Sequence, residues 1–203
     1  MTRPGWSGIL LAGGASRRFG ADKLVTPFAG VPLFLHPLRA LGAVCDEVVV
    51  VVAPDRPALP LPADVRAVRV IRDPVAYLGP LAGLRTGLAA AAGANALVAG
   101  ADMGRLRPAI LELLRDRLVE GGHVAVALAD ADGLRPLPVA LEVPIANAEA
   151  ARLIERGERR LRELVAALGA ATVPPADWVR VDPTGDWRLD VDAPEDLPRD
   201  GGG

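Results

Sequence analysis

The residues best suited to chemistry follow the first apolar run. Ile9 to Ala12 breaks at once into Gly13-Gly14-Ala15-Ser16-Arg17-Arg18-Phe19-Gly20-Ala21-Asp22-Lys23. A strand that opens into a glycine-rich loop can turn its backbone N–H groups toward an anion. Arg17, Arg18 and Lys23 add positive charge that a bare turn does not need. One reading is a cradle for nucleotide phosphates; the other is a glycine-rich surface loop with solvated basic residues. The spacing is neither G-x-x-x-x-G-K-[ST] nor G-x-G-x-x-G, which argues against a P-loop ATPase and a nicotinamide dehydrogenase.

Two carboxylates have comparable positions. Asp73 follows the run Val65 to Ile71, and Asp102 follows Ala96 to Ala99. Asp102 at a buried strand end suits a metal ligand, or a cap for the helix that begins a few residues later. Asp73 suits a ligand contact, or a turn before Pro74. Mg²⁺ prefers oxygen donors and commonly takes one or two carboxylates beside phosphates and water. His36 reads as a packing or surface residue of a helix, and Cys45 as a small core-facing residue near a helix end.

These groups need elements to position them. Ser7 to Ala12 is predicted as a strand, Pro32 to Ala43 as a helix, and the β-branched run Glu47 to Ala53 as a strand buried on both faces. A strand over Val65 to Ile71, a helix from Pro80 through Ala92 and a strand over Ala96 to Ala99 follow. Beyond them come a helix over Arg107 to Glu120, strands over His123 to Ala129 and Leu137 to Val143, and helices over Ile145 to Glu155 and Arg159 to Leu168. Thr172-Val173 and Trp178 to Val181 read as short extended pieces. Gly83 and Gly87, four apart on one helix, invite a close approach to its backbone. Alternating strands and helices imply a three-layer α/β/α sandwich, Rossmann-like, with a mostly parallel sheet and right-handed crossovers. Ligands in such sheets sit at the carboxyl ends of the strands. The glycine loop, Asp73 and Asp102 are therefore expected to converge on one cleft.

Composition narrows the class. The 203 residues suggest one domain over 1–198, with 199–203 a disordered tail. Hydrophobic residues make up 51% and aromatics only 3%, so the core must be aliphatic. A net charge of −2 gives no basic footprint for nucleic acid. A single cysteine excludes an internal disulfide and a cysteine zinc site. No apolar run is long enough to span a bilayer and no leader pattern precedes the first strand, so the expectation is a cytoplasmic protein without a membrane partner.

The pattern L-A-G-G-x-S-x-R-x-G-x-D-K, here Leu11 to Lys23, resembles the opening signature of the molybdenum cofactor guanylyltransferase family. Similar loops also open sugar-phosphate nucleotidyltransferases. The likeness continues through Gly30-Val31-Pro32-Leu33, Gly79-Pro80-Leu81-Ala82-Gly83, Asp102-Met103, Arg135 to Pro138, Arg159 to Leu164 and Leu189 to Leu197. It implies the fold of the nucleotide-diphospho-sugar transferases. It also implies Mg²⁺-dependent transfer of GMP from GTP to the phosphate of a molybdopterin-type acceptor, with release of pyrophosphate. By the same resemblance Leu11, Ala12, Gly13 and Gly14 hold the nucleotide through their backbone, Lys23 and Arg17 meet the triphosphate, and Asp73 contacts the nucleotide. Asp102 carries the metal, and Asp192, which brings a charge where the family has asparagine, either strengthens a metal site beside Asp102 or repels a phosphate. The sequence departs from the pattern at Ala101, at Gly104 where proline is usual, and at Asp190 and Asp192 where asparagines are usual. Replacing asparagine by aspartate removes a donor and adds a charge. The family's nucleotide-contacting asparagine has no counterpart among Val52-Ala53-Pro54-Asp55. The alternatives are a cytidylyl- or sugar-phosphate nucleotidyltransferase and a nucleotide-binding accessory protein without turnover. Oligomeric state stays open.

Overall fold

The computed structural model describes residues 5–13, 22–74, 78–191 and 194–196. In chain order its elements are β1 (Trp6–Ala12), the two-residue strands β2 (Pro27–Phe28) and β3 (Val31–Pro32), α1 (Leu35–Val44), β4 (Glu47–Val52) and β5 (Val68–Arg72). Then come α2 (Pro80–Ala90), β6 (Asn95–Gly100), α3 (Pro108–Gly121), β7 (Ala125–Asp130) and β8 (Gly133–Glu142). The chain continues with α4 (Val143–Glu155), α5 (Leu161–Ala167), β9 (Ala171–Val173) and α6 (Pro175–Trp178).

Seven strands form one sheet in the order β5-β4-β1-β6-β8-β7-β9. β5, β4, β1 and β6 run parallel, and β8 lies antiparallel to both β6 and β7. The valine run of β4 shows why the sheet is covered on both sides. Val48, Val50 and Val52 enter one core cluster, and Val49 and Val51 enter the other, as the pleat alternates. The first cluster packs Leu38 and Leu41 of α1 with Ile110, Leu111 and Leu114 of α3. The second packs Leu81, Leu84 and Leu88 of α2 with Ala146 of α4 and Leu164 of α5. Each fully buried valine contributes about 1.5–3 kcal/mol, enough to make this register strongly preferred. The three-layer mostly parallel architecture expected from the sequence is the one observed.

Gly87 lets α2 press onto the sheet. A Cβ there would lie 2.6 Å from Ile9 Cγ2 and 3.1 Å from Val51 Cγ2. The close approach expected along α2 is therefore real at Gly87, whereas a Cβ at Gly83 would make only ordinary contacts of 3.8–3.9 Å.

Three sequence expectations need correction. The first helix begins at Leu35, not Pro32, because Pro32 pairs with Pro27 in the small β2–β3 hairpin. Gly30, with φ +83°, supplies the left-handed turn between them. The segment Trp178 to Val181 is not extended. Pro175 opens a one-turn helix, and buried Trp178 sends Nε1 to the Ala129 carbonyl at 2.8 Å. The strand expected from Leu137 begins at Gly133, since β7 and β8 pair down to their turn, where Arg135 bonds Asp130 at 2.6 Å.

Candidate active site at the strand ends

Register brings the candidate residues together. Ala12 pairs with Val52, Val52 with Arg72, and Leu11 with Gly100. The four parallel strands thus end nearly level. The residues that follow, Gly13, Ala53, Asp73 and Asp102, emerge along one edge. They line a cavity of about 360 Å³ together with Leu11, Val51, Val52, Pro54 and Gly100. Gly79, Pro80 and Gly83 of the α2 start, with Leu137 and Leu161, complete the lining. The N-terminal end of α2, with Pro80 in its first turn, presents the positive end of a helix dipole to this space. Gly79, at φ +96°, stands where a Cβ would be 2.9 Å from Arg159 Cβ, so glycine is needed both for the conformation and for the approach.

Asp102 is positioned by what its neighbour lacks. A Cβ on Gly100 would lie 2.6 Å from Asp102 Oδ1, so the missing side chain gives the carboxylate its room. Lys23 Nζ donates to Asp102 Oδ2 at 2.9 Å. The Asp102 carbonyl accepts the Val191 N–H at 3.1 Å. That bond brings the carboxy-terminal segment against the β6 end, with Val191 buried beside Phe28 and Leu33. Gly104 fits the same neighbourhood. A Cβ there would lie 2.7 Å from Leu33 Cδ1 and 3.1 Å from Phe28 Cε1, so the residue that departs from the family pattern is held tightly in this chain. Asp73 is fixed through its N–H, which donates to the Val52 carbonyl at 2.8 Å, and Thr86 Oγ1 donates to Asp73 Oδ1 at 3.4 Å.

Lys23 is the only lysine in the sequence. It opens a single 3-10 turn, Lys23–Val25, capped by Asp22 Oδ1, which accepts the Leu24 N–H at 3.2 Å. Buried Leu24 and the bond from Phe34 N–H to the Leu24 carbonyl, 3.1 Å, tie that turn to the start of α1. Asp22 also accepts a hydrogen bond from Arg56 Nη2.

Leu11, Gly13, Asp73 and Asp102 are therefore brought to one cavity, and Lys23 reaches it through Asp102. Ala12 has its side chain in the core beneath. Gly14, Arg17, Arg18 and Asp192 lie outside the described residues. Asp190 is exposed next to Val191. Sequence reading missed Arg56 and Arg72. Arg72 Nη1 donates to the carbonyls of Pro54 and Arg56, each at 2.8 Å, and fastens the loop after β4. Pro54-Asp55-Arg56-Pro57 carries the local signal of a strand end and nothing that announces these partners. Among the described residues no group of three or more His, Cys, Asp or Glu could enclose a metal. One carboxylate lining a cavity still fits Mg²⁺, which commonly takes one or two carboxylates and fills its remaining positions with water and phosphate. Among the described residues no helix is long and apolar enough to cross a membrane.

The sheet is mostly parallel, with two carboxylates and a helix start at its strand ends and a lysine bonded to one of the carboxylates, and the family and relatives it matches make the chain a nucleotidyltransferase. The chain belongs to the family described as MobA-like NTP transferase domain, whose match covers residues 8–172. It is 36% identical over 196 residues to the "Probable molybdenum cofactor guanylyltransferase" of Chloroflexus aggregans, covering 94% of this chain and 91% of that one. In fold it resembles molybdopterin-guanine dinucleotide biosynthesis protein A from Archaeoglobus fulgidus, with TM-score 0.78, 24% identity and 94% of each chain covered. It also resembles Rv0371c from Mycobacterium tuberculosis, solved in complex with manganese, with TM-score 0.61, 20% identity, and 84% of this chain and 86% of that one covered.

Proposed function

We propose that the protein transfers GMP from GTP to the phosphate of a molybdopterin-type acceptor and releases pyrophosphate. The observation that carries this reading is the meeting of Asp73 and Asp102 in one cavity at the ends of parallel strands, with Lys23 bonded to Asp102. The name of the Chloroflexus relative supports guanylyl as the transferred group.

An acceptor phosphate oxygen attacks the α-phosphorus, the α–β bridging bond breaks, and pyrophosphate leaves. The reactants are all anions, so positioning and charge compensation are the main tasks of the protein. No covalent intermediate on the chain is required. Leu11, Ala12, Gly13 and Gly14 hold the nucleotide through their backbone, and Asp73 accepts hydrogen bonds from it. Lys23 and Arg17 offset charge on the triphosphate. Asp102, with Asp192, would hold Mg²⁺, which compensates charge on the phosphates when bound. The manganese complex of the Mycobacterium tuberculosis protein supports divalent metal use in this fold.

The test is pyrophosphate release by purified protein with Mg²⁺ and a molybdopterin acceptor, run separately with GTP, CTP, ATP and UTP. Release with GTP alone is expected. Release with CTP alone would make the enzyme a cytidylyltransferase. Tight binding of a nucleotide without release from any of the four would make the chain an accessory binder.

A further inference from the structure

The loop after β4 connects the cavity wall to the lysine. Val52, Ala53 and Pro54 form part of that wall. Arg72 donates to carbonyls of this loop from the end of β5, one residue before Asp73. At the other end of the same loop, Arg56 reaches Asp22, which caps the turn carrying Lys23. The Arg56 side chain is only 8% exposed, while the Asp22 side chain it meets is 35% exposed.

We propose that Arg56 is the positioning residue of Lys23, setting the lysine against Asp102 through its ion pair with Asp22. The proposal rests on the reading of the cavity as a nucleotide site. Two physical arguments support it. The Asp22 carboxylate precedes Lys23 directly, and unneutralised it would draw the Lys23 ammonium away from Asp102 and repel a triphosphate. Arg56 compensates that charge through a direct contact from its largely buried side chain. The ion pair also anchors the cap itself. Asp22 Oδ1 accepts from Leu24 N–H and from Arg56 together, so the turn and the cavity wall share one oxygen. The pairing is one-pronged, because Arg56 Nε is buried with no hydrogen-bond partner. A lysine amine at position 56 can therefore replace the contact that matters.

The single lysine makes the test direct. Full-length protein labelled with ¹³C-lysine gives one side-chain ε-methylene resonance, which reports Lys23 without any turnover. In Arg56→Gln that resonance moves toward the position of a free lysine, and in Arg56→Lys, whose second lysine is identified by comparison, the Lys23 signal stays in place. An unmoved signal in Arg56→Gln overturns the proposal. In pyrophosphate release, Arg56→Gln raises KM for the nucleotide about tenfold, while the same substitution made on Asp22→Asn changes it less than about twofold. Equal effects in both backgrounds would mean that Arg56 meets the nucleotide itself, and would overturn the positioning role. If Arg56→Gln alone does not fold, the Asp22→Asn/Arg56→Gln pair removes both charges together and is compared with Asp22→Asn by the same resonance. A wild-type chain that neither binds nor turns over any nucleotide would sink the functional reading, while the lysine resonance would still decide the role of Arg56.

Discussion

Lys23 Nζ and Asp102 Oδ2 stand 2.9 Å apart, joining the turn after β1 to the end of β6 across 79 residues of sequence. The lysine is 11% exposed and the carboxylate, which lines the cavity, 33%, so the pair is partly solvated. Partly solvated pairs of this kind contribute about 0–1 kcal/mol to stability. So small a contribution leaves the pair's place in the proposed site, and not the stability of the fold, as the reason the two groups meet.

Asp102→Asn separates these two contributions. In the proposed reaction it removes the charge that would hold the metal and leaves the shape intact. Turnover should fall by about 10²–10³-fold, as for loss of one electrostatic contact in a transition state, while the thermal midpoint moves by no more than a few degrees. Chelator should abolish wild-type turnover, and added Mg²⁺ should restore it. A variant that keeps its rate would remove Asp102 from the metal site.

Cys45 gives a chemical test of the packing. Burial, then the neighbouring charge of Asp46, pushes its thiol up to about 12, with Arg115 opposing. The thiolate is the reactive form. Iodoacetamide at pH 8 should therefore label native protein far more slowly than protein in denaturant, measured by intact mass. Equal rates would show that the β4 side of α1 is open in solution.

Glu158 ties down the loop that meets the start of α2. It accepts from Arg160 Nε and from the N–H groups of Arg159 and Arg160, at 2.8–3.0 Å. The Arg159 carbonyl in turn accepts the Leu81 N–H at 3.2 Å. The Arg160 guanidinium, aided by those backbone amides, draws the carboxyl down to about 2 from an ordinary 4.5. A depressed carboxyl stabilises the fold fully above its unfolded value and progressively less as pH falls toward its folded one. Glu158→Gln should thus lower the melting temperature at pH 7, and the gap to the wild type should shrink steadily as pH falls toward 2. A gap as large at pH 2 as at pH 7 would trace the effect to packing, not charge.

How much of this was legible in the sequence depends on how local the signal is. Asp73 and Asp102 follow apolar runs, and a parallel sheet places such positions at one edge, so their convergence could be read in advance. The valines of β4 announced burial on both faces by having no polar alternation. Arg56 and Arg72 could not be read. Their partners lie 34 and 16–19 residues away, and proline on both sides makes Arg56 look like part of a plain turn. Pro32 misled because proline suits a helix start and a hairpin edge equally. Trp178 misled because its β-propensity yields to the burial of an indole with a carbonyl to bond.

The two glycines of α2 should respond oppositely to the same substitution. Replacing a helical glycine by alanine gains about 1 kcal/mol of propensity. At Gly87 the new methyl would sit 2.6 Å from Ile9 Cγ2, between an unyielding helix and the centre of the sheet. Overpacking of this kind costs about 1–3 kcal/mol and outweighs the gain, so Gly87→Ala should melt several degrees lower. At Gly83 the methyl would meet nothing closer than 3.8 Å, so Gly83→Ala should melt higher. The atom it meets there is Asp73 Oδ2, and both residues line the cavity. Stability should rise while KM for the nucleotide rises too, because the methyl takes up space in the cavity that receives it. Paired melting curves and nucleotide titrations of the two variants check this. A Gly83→Ala enzyme with unchanged KM would place the nucleotide away from the α2 face of the cavity.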